Sequence, residues 1–284
     1  MLFARKLHNG AAGALVILLL LVITSAFMVI PLVYAVSSSL KPLSELWIFP
    51  PEFFVRNPTL KNFSDLMALM GNSQVPFSRY IFNTLFIAIA GTAGHVILAS
   101  MCAFSISKLR FKGAQIVFRA VVYSLMFSTA VTQIPNFIVI KTFGLIDTYA
   151  AIILPACASS LGLYLMKQFM ESMIPETILE AARIDGASNM RIFWRIAMPM
   201  VKPAWLTLIV FSFQALWNMG PNVLIQSDQL KSLNYAITQI AAAGLARAGT
   251  VSAATVIMMV LPITVFCVSQ ANVIETMSTS GIKE

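Results

Sequence analysis

Six amide or aromatic side chains lie within or beside long apolar stretches, where groups that can hydrogen-bond are unusual. They are Gln133, Asn136, Phe211, Gln214, Trp217 and Asn218. Gln133 and Asn136 are spaced i, i+3, and Phe211, Gln214 and Asn218 are spaced i, i+3, i+7, so each set shares one helical face. Such faces can line a path for a polar solute, or they can hydrogen-bond neighbouring helices and hold a bundle together.

No set of side chains has the spacing of a catalytic or metal site. Glu180 and Asp185 resemble an acid pair, but structural roles are favoured for both. The chain has no G-x-x-x-x-G-K-[ST] loop for the phosphates of ATP, and its three cysteines lack pairing or metal-ligand spacing. Of the two histidines, His8 and His95, the second is interpreted as a helix-packing residue. The sequence therefore predicts no enzyme active site, no metal and no cofactor in this chain.

The composition places these side chains in a membrane. Of the 284 residues, 58% are hydrophobic and 11% are charged, and the mean hydropathy is +0.84. Soluble domains carry roughly 25% charged residues, so this composition argues against a soluble enzyme. The net charge of +8 is attributed to basic residues beside an anionic membrane surface, not to nucleic-acid binding.

Six apolar segments are long enough to cross about 30 Å of hydrocarbon as helices. They lie near residues 14–36, 80–107, 116–140, 149–166, 201–220 and 249–270. The first follows Arg5 and Lys6 and is interpreted as a retained signal-anchor helix. A signal peptide cleaved near Ala35 is the less favoured alternative. With both termini in the cytoplasm, the cytoplasmic segments carry 12 Lys and Arg residues and the outer ones 7, which favours that orientation.

The longest outer segment, residues 37–79, contains five prolines and one helical pattern. Its apolar positions are Leu60, Phe63, Leu66, Met67 and Met70, and its polar positions are Asn57, Lys61, Asn62, Ser64 and Asp65. The pattern predicts a short amphipathic helix, which lies either on the membrane surface or on the protein itself.

The longest cytoplasmic segment, residues 167–202, has the signals of a helix–turn–helix. Pro175 and Glu176 suit a helix start, Gly186 suits a left-handed turn, Ser188 is a good N-cap, and Pro199 ends the second helix. The face of the second helix is bulky and apolar: Met190, Phe193, Trp194 and Ala197. Exposed in the cytoplasm, it is either a docking surface for a partner or an amphipathic hairpin on the bilayer.

The run EAARIDGA at 180–187, followed by Phe193, Ile196, Pro199 and Pro203, resembles the EAA loop of ABC-importer permeases. Further runs are similar to the maltose-type sugar permeases, the second permease subunit in particular: SLK at 39–41, PP at 50–51, PTLKNF at 58–63, NT at 83–84, FGLIDT at 143–148, WN at 217–218 and GIK at 281–283. The resemblance covers essentially the whole chain. It departs from the family pattern at Phe104, where a tyrosine is usual, and at Glu284, where a glycine is usual.

The resemblance implies an all-α polytopic membrane protein, with residues 1–284 forming a single permease domain in the bacterial cytoplasmic membrane. It further implies a second permease subunit, two ATP-binding subunits that hold ATP and Mg²⁺, and an extracytoplasmic binding protein that delivers a carbohydrate. The ATPase-coupling residues would be Glu180, Ala181, Ala182, Asp185, Gly186, Ala187, Phe193 and Pro199. Amides can hydrogen-bond sugar hydroxyls and aromatic rings can stack on a pyranose, so the six residues of the opening paragraph become candidates for the translocation path.

Two alternatives stay open. A permease of the same superfamily for another solute, such as a polyamine or glycerol phosphate, is one; an anionic solute would favour Lys or Arg in the path. A secondary carrier or channel is the other, although no predicted span has a buried Asp, Glu, Lys or Arg near its middle, and ion-coupled carriers commonly use such intramembrane ionisable groups.

Overall fold

The computed structural model describes residues 11–71, 75–109 and 111–280, and these residues form helices and connecting turns. Side chains are described for the same residues except 11, 12, 129 and 270–280. The expectations for Arg5, Lys6, His8, Glu284 and the run at 281–283 lie outside the described residues.

Fourteen α-helices follow one another in the described residues. They are α1 Ala11–Leu40, α2 Leu43–Leu46, α3 Lys61–Gly71, α4 Phe77–Lys108, α5 Ala114–Ser124, α6 Thr129–Thr142, α7 Ala150–Cys157, α8 Ser160–Met173, α9 Glu176–Ile184, α10 Asn189–Ile192, α11 Met198–Met200, α12 Lys202–Trp217, α13 Leu233–Ala242 and α14 Ala248–Ser280. A π-helical turn, Phe193–Ala197, joins α10 to α11, and 3₁₀ turns lie at Asp228–Leu230 and Leu245–Arg247. The all-α fold class is as expected.

Four helical segments of the described chain are long and apolar enough to cross a membrane: Gly13–Leu40, Phe77–Lys108, Ala150–Met173 and Leu245–Ser269. A fifth is obtained if Asn189–Met200 and Lys202–Trp217, which meet at 82°, count as one bent span. The count of six spans stays a prediction.

The third predicted span, residues 116–140, was expected to be one helix, and that prediction is wrong. It is divided into α5 and α6, with turns between Ser124 and Ser128. The hydroxyl of Ser124 donates to the Val121 carbonyl at 2.6 Å and also contacts the Ser160 hydroxyl. Serine hydroxyls that bond nearby backbone groups compete with helical bonds, and apolar periodicity does not reveal such competition.

The chain divides into two compact units, one within Met1–Asn72 and Gln239–Met259 and the other within Ser73–Thr238 and Val260–Glu284. In the first unit α3 packs on α1, so of the two alternatives for the amphipathic helix, the structure has the one on the protein. Asn62, expected on the polar face, is 8% exposed, and its amide donates to the carbonyls of Ser39 and Lys41 at 2.8 and 2.7 Å. Leu60 and Met67, expected on the apolar face, are exposed. The face of α3 that points into the protein is therefore rotated relative to the predicted apolar face. The reason is that the buried amide of Asn62 hydrogen-bonds two carbonyls at the end of α1.

In the second unit α4 is the central helix, with α7, α8 and α12 packed along it. Close approach is possible because α4 carries Gly91 and Gly94: a Cβ on Gly91 would overlap Leu216, and one on Gly94 would overlap Cys157. Small residues at helix contacts are the usual means of close packing in membranes.

Candidate coupling surface and translocation path

The coupling hairpin, defined here as α9 to α11, turns at Gly186. Gly186 has φ +78°, and its N–H donates to the Arg183 carbonyl while that of Ala187 donates to the Ala182 carbonyl. This pair of bonds is a Schellman motif with glycine at the left-handed position. Ser188 then caps α10 by accepting from the N–H of Arg191 at 3.4 Å. The turn and the cap lie where the sequence predicts them.

One face of the coupling hairpin is buried against the membrane helices. Leu179, Ala182, Ile192, Phe193 and Ala197 share a core with α4, α8 and α12. The Phe193 ring lies 5.6 Å from that of Phe104 on α4, centroid to centroid. The hairpin is thus anchored on protein, rather than only on lipid.

The predicted apolar docking face is only partly correct. Phe193 and Ala197 point into the core at 2% and 0% exposure, whereas Met190 and Trp194 are exposed. Apolar residues lie on both sides of the segment formed by α10 and the π-helical turn, so periodicity does not identify the inward side. The outward surface also contains most of the predicted coupling residues: Glu180, Ala181, Asp185, Gly186 and Pro199 are exposed, Ala187 is half-buried and Ala182 is buried.

Two basic residues fix the hairpin to α4, and the sequence analysis did not single them out. The ammonium of Lys108, which is 7% exposed, donates to the Ile174 carbonyl at 2.7 Å. The guanidinium of Arg183 donates to the Lys108 carbonyl at 3.3 Å. Both bonds join the C-terminal end of α4 to the segment that begins or ends α9. A lysine in the last turn of a long helix is a weak signal for such a role.

The candidate path residues of α12 divide between two sides of the helix. Phe211, Gln214 and Asn218 are exposed on one face, as their spacing predicts. Trp217 is 4% exposed and stacks on Phe213, with ring centroids 5.6 Å apart. The structure therefore places Trp217 in the helix packing, apart from the exposed amides.

The two candidate residues of α6 have separate surroundings. Gln133 is exposed and Asn136 is half-buried, while the helix packs through Phe137 and Ile140 on Ala151 and Leu224. Gln133 and Asn136 have no side-chain hydrogen bond within the described residues, and the same holds for Gln214, so their amide groups are available to a solute or a partner chain.

Polar bonds at the predicted outer end of the bundle hold the loop before α13. Asn83, fully buried, donates to the carbonyls of Gln229 and Lys231 at 2.8 and 2.9 Å and accepts from the Tyr149 hydroxyl. Asn83 belongs to the NT run that the sequence analysis singled out. Its partners were not predictable, because they lie 66 to 148 residues away along the chain.

Asp147, in the FGLIDT run, also holds the loop before α13 through hydrogen bonds. It has φ +62°, and its carboxylate accepts from the Ser227 hydroxyl and from the N–H groups of Ser227 and Gln226. The bond from the Ser227 hydroxyl, with the two backbone bonds, lowers the pKa of Asp147 below its ordinary value.

Glu180 and Asp185, which resembled an acid pair in the sequence, are both exposed. In the described part of the chain, no group of three or more His, Cys, Asp or Glu side chains could hold a metal ion. His95 is buried at 4% exposure, its Nδ1 lies 2.5 Å from the Ser212 hydroxyl, and a Cβ on Gly162 would overlap its ring. His95 thus packs three helices together: α4, α8 and α12.

These features define a polytopic membrane protein with a short helical hairpin docked on one end. No family model matches the chain. It is 31% identical over 222 residues to protein LplC of Bacillus subtilis, covering 75% of this chain and 71% of LplC. It is 35% identical over 161 residues to the sn-glycerol-3-phosphate transport system permease protein UgpE of Yersinia enterocolitica, covering 56% of this chain and 57% of UgpE.

A third relative matches over a longer stretch. The diacetylchitobiose uptake system permease protein NgcG of Streptomyces coelicolor is 26% identical over 269 residues, 91% of this chain and 85% of NgcG. The fold is similar to that of a bacterial ABC transporter involved in the import of the acidic polysaccharide alginate, with a TM-score of 0.77, 22% identity, and 91% and 95% of the two chains covered. The chain therefore belongs to the family of ABC-importer permeases. It is a transport subunit and a multi-pass protein of the inner membrane.

Proposed function

We propose that this chain is the permease subunit of an ATP-driven, binding-protein-dependent importer of carbohydrate. The observation that carries the substrate class is the exposed face of α12, where Phe211, Gln214 and Asn218 offer one ring and two amides without a charge. Amides pair with hydroxyls in either direction, and the ring can cover the apolar face of a sugar. The relatives named for diacetylchitobiose and alginate support the same class.

The coupling hairpin supplies the contact with the ATPase in this proposal. Its outward residues, Glu180, Ala181, Asp185 and Trp194, are exposed at one end of the bundle, and its inward residues share a core with α4, α8 and α12. An ATPase that moves the hairpin therefore acts directly on the membrane helices. Both termini would lie in the cytoplasm, a second permease would complete the path, and two ATPase subunits would bind ATP and Mg²⁺.

Uptake by the complete importer tests this function. Vesicles are made from membranes that contain this chain with its co-purifying subunits, and they are loaded with ATP. The extracytoplasmic binding protein is added outside together with diacetylchitobiose, oligogalacturonate, a polyamine or glycerol 3-phosphate. Accumulation of a carbohydrate that stops without ATP, and persists when ion gradients are collapsed, is expected. Uptake that follows the ion gradient would indicate a secondary carrier and refute the proposal.

Glycerol phosphate is the second candidate because the match to UgpE reaches 35% identity. A phosphate dianion favours Lys or Arg beside its path, and the candidate path residues are amides and aromatic rings. Preferential accumulation of glycerol 3-phosphate in the same vesicles would replace the carbohydrate assignment.

A further inference from the structure

The interruption between α5 and α6 lies deep in the membrane. The hydroxyl of Ser124, at the end of α5, lies 2.6 Å from that of Ser160, the first residue of α8. Two residues further along α8, a Cβ on Gly162 would overlap the ring of His95. His95 is near the middle of α4, which is long and apolar enough to span the bilayer. The interruption is therefore close to the middle of the hydrocarbon and not at its surface.

The segment at this interruption, residues 124–128, faces outward from the described part of the chain. Leu125, Met126 and Phe127 are 39%, 81% and 61% exposed, and Ser124 and Ser128 are exposed as well. The N–H groups of residues 125–127 make turn bonds to carbonyls three positions earlier. Ser128 precedes α6 without a side-chain capping bond, so the first N–H groups of α6 have no partner within the helix.

Lipid is an unsuitable cover for such a segment. Hydrocarbon offers no hydrogen bond, and irregular backbone occurs at this depth only where it is buried in protein or lines a water-filled cavity. The described residues of this chain leave the segment exposed. Two surroundings remain, which are the water of the translocation path and a helix of the second permease.

The polar groups of the segment favour the water-filled path. Water or a sugar hydroxyl can pair with the Ser128 hydroxyl and with the N–H groups that follow it, whereas an apolar helix surface would leave each unpaired at a cost of about 1–3 kcal/mol. The candidate path residue Gln133 is exposed about one and a half turns further along α6. The exposed ring of Phe127 beside these groups repeats the combination of ring and amide that Phe211 and Gln214 form on α12.

We propose that residues 124–128 line the water-filled translocation path, with Phe127 and Ser128 facing the solute. The proposal rests on the importer function above and deepens it, because it assigns to the path a mid-membrane segment that apolar periodicity does not indicate. Burial of the same segment under the second permease is the competing outcome.

Thiol labelling of the complete importer distinguishes these surroundings. In a background whose three cysteines are changed to alanine, Ser128→Cys is compared with Ser25→Cys, an exposed serine of the uninterrupted helix α1. Phe127→Cys and Phe27→Cys, at positions that are 61% and 74% exposed, form a second matched pair. The amount of each variant in the membrane is measured in parallel.

The reagent is 2-(trimethylammonium)ethyl methanethiosulfonate, which carries a permanent charge and reacts with ionised thiols, so contact with water sets its rate. Labelling is followed at rest and during ATP hydrolysis with the binding protein present. In at least one of these states, Ser128→Cys and Phe127→Cys are expected to react at least about tenfold faster than their α1 counterparts. Equal rates within either pair in both states would overturn the proposal. Reaction of Ser128→Cys only after the second permease is removed would overturn it as well.

Loss of uptake distinguishes the path from any other water-filled crevice. The trimethylammonium group attached to Ser128→Cys should abolish uptake relative to the untreated variant, because it occupies the route of the solute. Ser25→Cys treated in the same way should keep its uptake. Labelling of Ser128→Cys without loss of uptake would refute the assignment to the path.

The outcomes separate this proposal from the function on which it rests, because labelling does not depend on which solute is carried. If the vesicles accumulate another solute and labelling of Ser128→Cys blocks its uptake, the carbohydrate function fails and the path assignment stands. If a carbohydrate accumulates and Ser128→Cys reacts no faster than Ser25→Cys, the function stands and the path assignment is refuted.

Discussion

Replacement of Gly186 by valine separates coupling from folding. With φ at +78°, an L-residue at this position adopts a left-handed conformation, which costs about 1–2 kcal/mol, with a β-branched residue at the upper end. A Cβ added to Gly186 meets no atom within 4 Å, so the cost lies in the backbone and not in a collision between α9 and α10. This energy lowers the population of the turn about 5- to 30-fold relative to competing conformations.

Gly144 is a matched control on a different helix. It has φ +68°, open space around an added Cβ, and the same pair of Schellman bonds, here to Lys141 and, from Leu145, to Ile140. Gly144→Val therefore introduces the same strain at the end of α6, away from the hairpin. Gly186→Asn is a second control, because asparagine tolerates left-handed angles.

The assay is sugar-stimulated ATP hydrolysis by the reconstituted importer, with the amount of each variant in the membrane measured in parallel. In Gly186→Val, the sugar-stimulated rate of ATP hydrolysis should be at least about fivefold lower than in the wild type. Gly144→Val and Gly186→Asn should retain most of that rate. Equal losses for Gly186→Val and Gly144→Val would show that strain alone is responsible. Normal stimulation in Gly186→Val would refute the hairpin as the coupling element.

Three further substitutions test individual contacts. Lys108→Met should leave the Ile174 carbonyl unpaired, cost about 1–3 kcal/mol and lower the melting temperature of the purified chain, and an unchanged melting temperature would contradict the anchoring role. Asp147→Asn should speed amide exchange at Ser227 about fivefold at pH 7, a loss of about 1 kcal/mol. Because the folded pKa of Asp147 is lowered, its stabilisation is fully present above the ordinary carboxyl pKa of 3.8 and is lost as the pH falls through the folded pKa. The difference between wild type and variant should therefore begin to shrink below pH 3.8 and vanish once the folded carboxylate is protonated, and a constant difference would refute the ionic contribution. Gln214→Ala should raise the half-saturating sugar concentration about two- to tenfold at equal membrane levels, and unchanged uptake kinetics would remove Gln214 from the path.

Apolar runs predicted the positions of the long helices well, because hydrophobic length is itself the physical requirement for crossing a bilayer. Residues 80–107 fall within α4, and residues 14–36 fall within α1. The division between α5 and α6 was not predictable in this way. It involves Ser124, whose hydroxyl bonds depend on a backbone group of its own helix and on Ser160 of another.

Helical spacing shows which residues share a face but not where that face points. Gly186 and Ser188 were predictable because their roles depend on local backbone geometry. Asn62 and Phe193 were assigned to outward faces and are buried. Their surroundings are tertiary: two carbonyls at the end of α1 for Asn62, and the ring of Phe104 for Phe193.

The position of α12 explains how one helix can serve both proposed sites. Near its start, Val201 and Ala204 belong to the core that the coupling hairpin shares with α4 and α8. Toward its end, Gln214 and Asn218 lie on the exposed face proposed for the path. From Ala204 to Asn218 the helix rises about 21 Å, and the described residues between them are continuously helical up to the cap at Asn218. Close-packed interiors transmit displacement instead of absorbing it. Beyond the 82° bend that precedes α12, the helix has no break between the core that it shares with the hairpin and the path face, so a displacement of that core is expected to reach the path face.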